Sequence, residues 1–185
     1  MRCLSRSSGC CRRLLSRTSS ARATPTQSFS KGHNGQFAML IRQFKPSDWS
    51  EWRRMATALF PGTSMEEDEA EMRATLARSD AAVFVLERPD GNSLAGYVEV
   101  GTRSVVDGCT TSPVGYIEAW YVDPDVRLGG HGRSLLEAAE AWARDQGYQE
   151  MGSDALIDNR VSHMAHERSG YIEVDRVVTY RKDLR

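Results

Sequence analysis

The chain contains, between two apolar segments, the stretch Arg127-Leu128-Gly129-Gly130-His131-Gly132-Arg133-Ser134. Its glycines precede a predicted helix, where exposed backbone N–H groups and the helix dipole favour an anion. Arg127 and Arg133 add guanidinium groups that can make charge-assisted hydrogen bonds to phosphate. The stretch therefore predicts a pyrophosphate-binding loop, although a plain glycine-rich turn would have the same composition.

Two well-known phosphate-binding loops do not fit this stretch. It lacks the lysine and the spacing of a nucleoside-triphosphate P-loop. Gly130-His131-Gly132 is not followed by the third glycine of a dinucleotide-binding fingerprint, and no β-α-β unit precedes it. The ligand predicted here therefore belongs to another class of phosphate compound.

A strand is predicted before the stretch, over 114–122, and a helix after it, ending near Gly147. Period-two alternation places side chains of the strand on two faces. One face carries Tyr116, Glu118, Trp120 and Val122, and the other carries Ile117, Ala119 and Tyr121. Leu135, Ala139 and Trp142 recur at helical spacing and predict the buried stripe of the helix.

Strand and helix patterns alternate through the rest of the chain from Met39 onward. Before the central strand they predict a strand at 40–44, helices at 49–59 and 64–78, and strands at 82–87 and 94–100. After the central helix they predict a strand at 150–154, a helix at 159–168, and strands at 171–174 and 177–181. Asp48 with Glu51, and Ser64 with Glu67, predict capped helix starts. This order indicates an α+β domain whose mixed, mostly antiparallel sheet is flanked by helices.

Charge divides the chain into two unequal parts. Residues 1–38 hold seven basic and no acidic side chains, which leaves 17 of the 24 Lys and Arg against all 25 Asp and Glu in residues 39–185. An acidic domain suits a cationic ligand and argues against nucleic acid or an anionic membrane as a partner. A merely solvated acidic surface remains the alternative explanation.

Residues 1–38 have the composition of a disordered leader, rich in Ser, Thr and Arg. They lack the apolar run of a secretory signal, so they indicate a leader upstream of a start at Met39, or a transit-type targeting segment. Three of the four cysteines lie there, and Cys109 alone falls in the domain. No spacing of Cys and His resembles a metal site. We therefore expect a cytoplasmic protein without disulfides or a metal.

The pattern Arg127-x-x-Gly130-x-Gly132, between a strand and a helix, resembles the coenzyme-A loop of the GNAT acetyltransferases. Further segments resemble the bacterial aminoglycoside 6′-N-acetyltransferases within that superfamily. They are Asp107–Val114 with Tyr116-Ile117-Glu118, then Ser153-Asp154, Asn159, Ser162, His166, Gly170-Tyr171 and Asp175–Lys182. The resemblance spans roughly residues 40–182. It implies a GNAT acyltransferase fold and transfer of acetyl from acetyl-CoA to an aminoglycoside amine, as in antibiotic resistance.

The resemblance also implies a role for individual residues. The backbone of Trp120, Tyr121 and Val122 would pair with the pantetheine arm of acetyl-CoA. Arg127 and the loop Leu128, Gly129, Gly130, His131, Gly132 and Arg133 would hold its pyrophosphate, and Asn159 would bond the coenzyme further along. Glu118, Asp154 and Asp175 would hold the polycationic aminosugar, and Phe60 would form an aromatic wall.

Acetyl transfer of this kind needs no covalent enzyme intermediate. A neutral amine attacks the thioester, an N–H stabilises the oxyanion, and Glu118 or Asp154, directly or through a water, takes up a proton. His166 stands where many GNAT enzymes have a tyrosine that protonates the leaving thiolate, so it is a candidate acid, or else a spacer beside the coenzyme. Phe60 and Val105 also depart from residues found in several relatives. Glu118 as a solvent-facing strand residue and Asp154 as a strand-end cap are the structural alternatives.

Two other functions fit the same residues. A GNAT enzyme with a different acceptor, such as a polyamine or a protein amine, keeps the fold and the coenzyme. A non-catalytic acyl-CoA-binding sensor keeps only the coenzyme. The resemblance further implies a homodimer, to which the segment from Tyr171 onward would contribute strands.

Overall fold

The structure is a computed structural model, and it describes residues 38–184. The basic leader predicted at 1–38 therefore lies outside the described residues, apart from its last position. The described chain contains five strands and four α-helices. They are β1 (Leu40–Gln43), α1 (Trp49–Leu59), α2 (Met65–Ala77), β2 (Ala81–Glu87), β3 (Leu94–Arg103), β4 (Val114–Val122), α3 (His131–Asp145), β5 (Met151–Ser153) and α4 (Arg160–Arg168).

The five strands form one sheet in the order β1-β2-β3-β4-β5. The first four pair antiparallel, while β5 pairs parallel with β4. The prediction of a mixed, mostly antiparallel α+β fold is confirmed. None of the helices in residues 38–184 is long and apolar enough to cross a bilayer.

Each face of the sheet is covered by helices. On one face, α1 and α2 pack over a cluster that includes Trp52, Met55 and Tyr97. On the other face, α3 packs Leu135 and Leu136 against β2, β3 and β4. The apolar stripe predicted for α3 is thus confirmed, and α1 supplies the other half of the core.

A β-bulge at Glu118 breaks the alternation predicted for β4. Ala119 pairs with Glu99, whereas Ile117 pairs with Val100, so two steps along β4 match one step along β3. The extra residue reverses the faces on either side of it. Ile117 consequently packs with Trp120 under α3, not with Ala119, and the predicted common face of Tyr116 and Trp120 is wrong.

One predicted helix cap is confirmed and one is wrong. Ser64 Oγ accepts the N–H of Glu67, and the Glu67 carboxylate accepts the N–H of Ser64. Asp48, in contrast, does not cap α1 with its side chain. Its carboxylate accepts hydrogen bonds from the Lys45 N–H and from Arg42, because it belongs to the 3-10 turn that precedes the helix.

The two strands predicted at 171–174 and 177–181 are absent from the described chain. These residues have no regular structure, and their apolar side chains Ile172, Val174, Val177, Val178 and Tyr180 are more than half exposed. A strand needs a hydrogen-bonded neighbour. The sequence pattern was β-like, but the described chain pairs no strand with this segment.

Candidate functional site

The predicted pyrophosphate loop connects β4 to α3 after a 3-10 turn, Pro124–Val126. Leu128 and Gly130 both adopt positive φ, at 67° and 82°, and α3 begins at His131. The N-cap position of α3 is a glycine, Gly130, which has no side chain to cap the helix. Its N–H groups are therefore available to a ligand, and a helix N-terminus of this kind favours an anion.

The other loop residues shape this helix start. Gly129 lies against the ring of His131, since a Cβ on Gly129 would be 3.0 Å from that ring. A Cβ on Gly132 would be 3.0 Å from Trp120 Cζ2. The small residue thus lets the first turn of α3 lie close to β4.

The two arginines of the loop have different surroundings. Arg127 Nε donates to the carbonyl oxygen of Val122 at 2.9 Å, which fastens the loop to the end of β4. Arg133 Nε donates to Glu137 Oε1 at 3.0 Å on the outer side of α3. The Arg127 guanidinium is thus held at the end of β4, while that of Arg133 is paired one turn into α3.

β4 and β5 separate well before β4 reaches this loop. Their pairing covers only Gly115–Ile117 against Met151–Ser153. Beyond that point no strand of the described chain pairs with this edge of β4, whose remaining residues run to Val122. Trp120, Tyr121 and Val122 therefore lie on an open backbone edge that leads from the loop to the point of separation.

Two carboxylates flank the point where the strands separate. Ile117 and Ser153 are the last paired residues of β4 and β5. The next residues are Glu118 and Asp154, both partly buried. Because paired strands lie about 4.8 Å apart, the backbones of these two residues start out as close neighbours where the strands separate.

Arg103 holds the Glu118 side chain. Its Nη2 is 2.7 Å from Glu118 Oε2 and its Nε is 3.3 Å from Oε1, a bidentate pair. The same guanidinium lies over the ring of Tyr116, 3.5 Å from its centroid. Glu118 is thus a fixed negative charge with a specified orientation. The sequence reasoning missed Arg103, because its partner depends on the bulge and on the β3–β4 register.

His166 connects α4 to the end of β5. Its Nδ1 is 2.8 Å from the carbonyl oxygen of Ser162, and its Nε2 is 2.8 Å from Ser153 Oγ. The rings of Trp120 and Tyr171 contact it edge-on, at 5.3 and 5.5 Å between centroids. Burial lowers the pKa of His166, and this outweighs the opposing effect of the Ser162 hydrogen bond.

Three further predicted site residues lie at separate places in the fold. Asn159 caps α4, where its Oδ1 accepts the N–H of Ser162 at 3.2 Å. Phe60 follows α1 and packs partly buried against the core beneath that helix. Asp175 lies in the exposed C-terminal segment and accepts the N–H of Arg176. The described hydrogen bonds do not link Asp175 to Glu118 or Asp154.

A buried carboxylate in β3 was also missed. Glu99 is 8% exposed, and its Oε1 accepts the Trp52 indole N–H at 3.1 Å. It pairs with Ala119, next to the bulge. An acidic residue inside the apolar strand 94–100 was the signal that could have identified it.

Residues 49–171 match the acetyltransferase (GNAT) family. The chain belongs to the GNAT acetyltransferases. Its elements, from β1 to α4, agree with a GNAT fold.

Individual GNAT relatives match nearly over their whole length. An aminoglycoside N(6′)-acetyltransferase type 1 of Stenotrophomonas maltophilia is 38% identical over 148 residues, which cover 80% of this chain and 95% of the relative. The enzyme of the same name from Klebsiella aerogenes is 35% identical, with 78% and 97% covered.

Solved GNAT structures agree with these relatives. The aminoglycoside acetyltransferase AAC(6′)-Iy, in complex with the bisubstrate analogue CoA-S-monomethyl-acetylneamine, has a TM-score of 0.74 and 31% identity, with 79% of this chain and 99% of that chain covered. The same enzyme in complex with CoA also has a TM-score of 0.74, with 32% identity and coverage of 78% and 95%.

Proposed function

We propose that this GNAT protein transfers acetyl from acetyl-CoA to the 6′-amine of aminoglycoside antibiotics, in a ternary complex, and so confers resistance. The observation that carries the proposal is the open β4 edge. It begins at the uncapped start of α3 and ends between Glu118 and Asp154. An anionic coenzyme fits the first end and a cationic acceptor fits the second.

Acetyl-CoA would lie along this edge. Leu128, Gly129, Gly130, His131, Gly132 and Arg133 would hold its pyrophosphate, with Arg127 adding charge. The backbone of Trp120, Tyr121 and Val122 would pair with the pantetheine arm. From Val122 to Glu118 the strand advances by about 13 Å, at about 3.3 Å per residue. Asn159 would contact the coenzyme from the start of α4.

The acceptor would bind at the carboxylates. Glu118, clamped by Arg103, supplies a fixed charge, while Asp154 lies beside the reacting amine and takes up, through a water, the proton that an ammonium group must lose before it attacks. Asp175 would add a third carboxylate and Phe60 an apolar wall. His166 takes part in protonating the leaving sulfur, and no metal is needed.

Two broader features belong to the same proposal. Residues 39–185 form the catalytic domain of a cytoplasmic enzyme, and residues 1–38 are a leader. The enzyme is a homodimer, in which the exposed apolar side chains of residues 172–180 pack against the partner subunit. Sedimentation at micromolar concentration should give twice the mass of one chain.

The test is release of free thiol from acetyl-CoA by the purified full-length protein, with kanamycin, tobramycin, spermidine and a basic peptide as separate acceptors. We expect turnover with the aminoglycosides only, and a 6′-acetylated product by NMR. Asp154→Asn should lower kcat/KM by at least tenfold, because a carboxylate that holds a cation is lost. The exposed Asp158→Asn variant is the matched control.

The other outcomes separate the alternatives. Turnover with spermidine or the peptide alone would keep the fold and the coenzyme and would reject the aminoglycoside acceptor. Binding of acetyl-CoA without turnover of any acceptor would indicate a non-catalytic sensor.

A further inference from the structure

The contacts of His166 define which of its nitrogens carries a proton. A carbonyl oxygen can only accept, so the Nδ1 atom that lies 2.8 Å from Ser162 O is the donor. Because burial lowers the pKa of His166, the ring is neutral near pH 7. Nε2 is then an acceptor, and the hydroxyl of Ser153, 2.8 Å away, donates to it.

This arrangement does not suit direct proton donation by His166. The neutral ring keeps its one proton on the carbonyl side, and Ser153 Oγ covers the other nitrogen. Trp120 and Tyr171 contact the ring edge-on. A proton that reaches or leaves Nε2 therefore passes through the Ser153 hydroxyl.

Ser153 lies where the reaction is expected. It is the last paired residue of β5, opposite Ile117, and it is followed by Asp154. A coenzyme arm that ran along β4 from the start of α3 would end beside this pair of residues. The hydroxyl is therefore the side-chain group of β5 nearest the point where the two strands separate.

We propose that Ser153 and His166 form a proton relay that carries a proton from the attacking amine to the departing sulfur. The inference rests on the proposed acetyl transfer, but it holds for any primary amine acceptor. It assigns to Ser153 a catalytic role as the hydroxyl that exchanges protons with the reacting atoms, and to His166 the role of the base behind it.

The steps balance without a further reactant. The neutral amine forms the N–C bond, and the attacking nitrogen then carries one proton too many. Ser153 Oγ accepts that proton while its own hydroxyl proton moves to His166 Nε2. When the C–S bond breaks, with its electron pair on sulfur, the proton on Nε2 returns to Ser153, and the Ser153 proton passes to sulfur. The nitrogen and the sulfur are bonded to the same carbon, so one hydroxyl can serve both in turn.

Ionisable neighbours on two sides affect the pKa of His166. Asp154, after β5, favours the protonated ring, and His163, on α4, opposes it. Tyr171 contacts the ring from the C-terminal side.

The kinetic test uses Ser153→Ala, His166→Gln and the double variant, with whichever amine the full-length protein acetylates. Each single variant should lower kcat by about 10²-fold, the typical contribution of a positioned proton-transfer group. The KM for acetyl-CoA should stay within about twofold, and the double variant should be no slower than either single variant, because the two groups act as a unit.

Two variants separate chemistry from packing. Ser153→Thr keeps the hydroxyl and should retain most of the activity. Ser169→Ala removes a hydroxyl that bonds only to the Ala165 carbonyl at the end of α4, and kcat should not change. The acidic limb of the kcat profile, which reports protonation of His166, should disappear in His166→Gln.

An acceptor-independent measurement keeps failure of the relay distinct from failure of the proposed function. Nitrogen-15 NMR of the histidine side chains should show His166 with a protonated Nδ1 and a hydrogen-bonded Nε2, whose shift changes in Ser153→Ala. A protonated Nε2, full kcat in Ser153→Ala, or losses that multiply in the double variant would each overturn the relay. No turnover with any amine, with the expected NMR tautomer retained, would overturn the acetyl transfer and its relay while leaving the Ser153–His166 hydrogen bond intact.

Discussion

The bidentate pair between Arg103 and Glu118 limits what this carboxylate can do. Both oxygens accept from one guanidinium, which itself lies on Tyr116. Such a carboxylate is held in one direction. It is therefore suited to hold a cationic group rather than to carry protons.

Glu118→Gln should consequently affect acceptor binding more than chemistry. We expect the aminoglycoside KM to rise roughly tenfold, because a charge-assisted hydrogen bond is typically worth about 1.5–3 kcal/mol. The KM for acetyl-CoA and kcat should change by less than about threefold. Steady-state kinetics with tobramycin would check this, with Glu137→Gln on the outer face of α3 as the control. A large fall in kcat at unchanged KM would show that Glu118 acts in proton transfer instead.

At this scale, the sequence identifies residues more readily than their partners. Glu118, Asp154 and His166 were predicted because the segments that contain them resemble a known family. The partners of Arg103 and Ser153 are known only once segments distant in the sequence have paired and packed, which no local pattern contains. The bulge at Glu118 adds one residue to β4, and no local pattern in 114–122 predicts it.

Among the elements, the loop before α3 combines backbone strain with ligand geometry. Leu128 is the described non-glycine residue with positive φ, and its side chain is 97% exposed. Gly130, two residues on, also has positive φ, and it has open space where a Cβ would lie. The left-handed conformation costs a non-glycine residue about 1–2 kcal/mol.

Adding a side chain at Gly130 and removing the side chain of Leu128 should therefore affect stability differently. Gly130→Ala should lower the free energy of unfolding by about 1 kcal/mol and weaken acetyl-CoA binding, because the strained residue shifts the start of α3. Leu128→Gly should not destabilise the protein, since it relieves strain and removes a side chain without packing. Urea denaturation and calorimetric titration with acetyl-CoA would measure both. Equal losses in the two variants would contradict this account of the loop.

Most elements were predictable because their apolar periodicity is strong and local. The C-terminal strands were predicted from the same kind of pattern and are absent from the described chain. Apolar residues at 172–180 specify a tendency toward extended structure. Whether a strand forms depends on a neighbouring backbone, which no local pattern contains.

For the molecule as a whole, one ion-pair network joins distant parts of the fold. Asp123 follows β4 and accepts from Arg54 of α1 and Arg88 of the β2–β3 connection. Its N–H donates to Ala95 in β3 at 2.7 Å. The network thus fastens the end of β4, and with it the loop before α3, to both neighbouring layers.

This network predicts how stability depends on pH. Burial acts to raise the pKa of Asp123, but the hydrogen bonds from Arg54 and Arg88 outweigh it and hold the pKa below its ordinary value. A lowered folded-state pKa contributes stability that is present above the unfolded value, about 3.9, and is lost as the pH falls through the folded value. Asp123→Asn should lower the free energy of unfolding at pH 7 by about 2 kcal/mol and flatten its dependence on pH below about 4.

Urea denaturation between pH 3 and pH 7 would measure that effect. Asp125→Asn, which removes an exposed partner of Arg88, is the matched control and should change stability less. If the free energy of unfolding of Asp123→Asn fell with pH just as that of the parent does, the network would not be the source of the acid dependence.

The early separation of β4 from β5 also bears on how the protein behaves between catalytic cycles. Beyond Ile117, β4 offers a row of backbone groups without a strand partner in the described chain. Such a row is a template for another polypeptide, and it favours self-association and aggregation. A coenzyme that covers it serves as a temporary sixth strand, and at a hundredfold excess over its dissociation constant it would stabilise the native state by about 2.7 kcal/mol. If acetyl-CoA binds along this edge as proposed, its depletion should lower the stability of the folded protein as well as its activity.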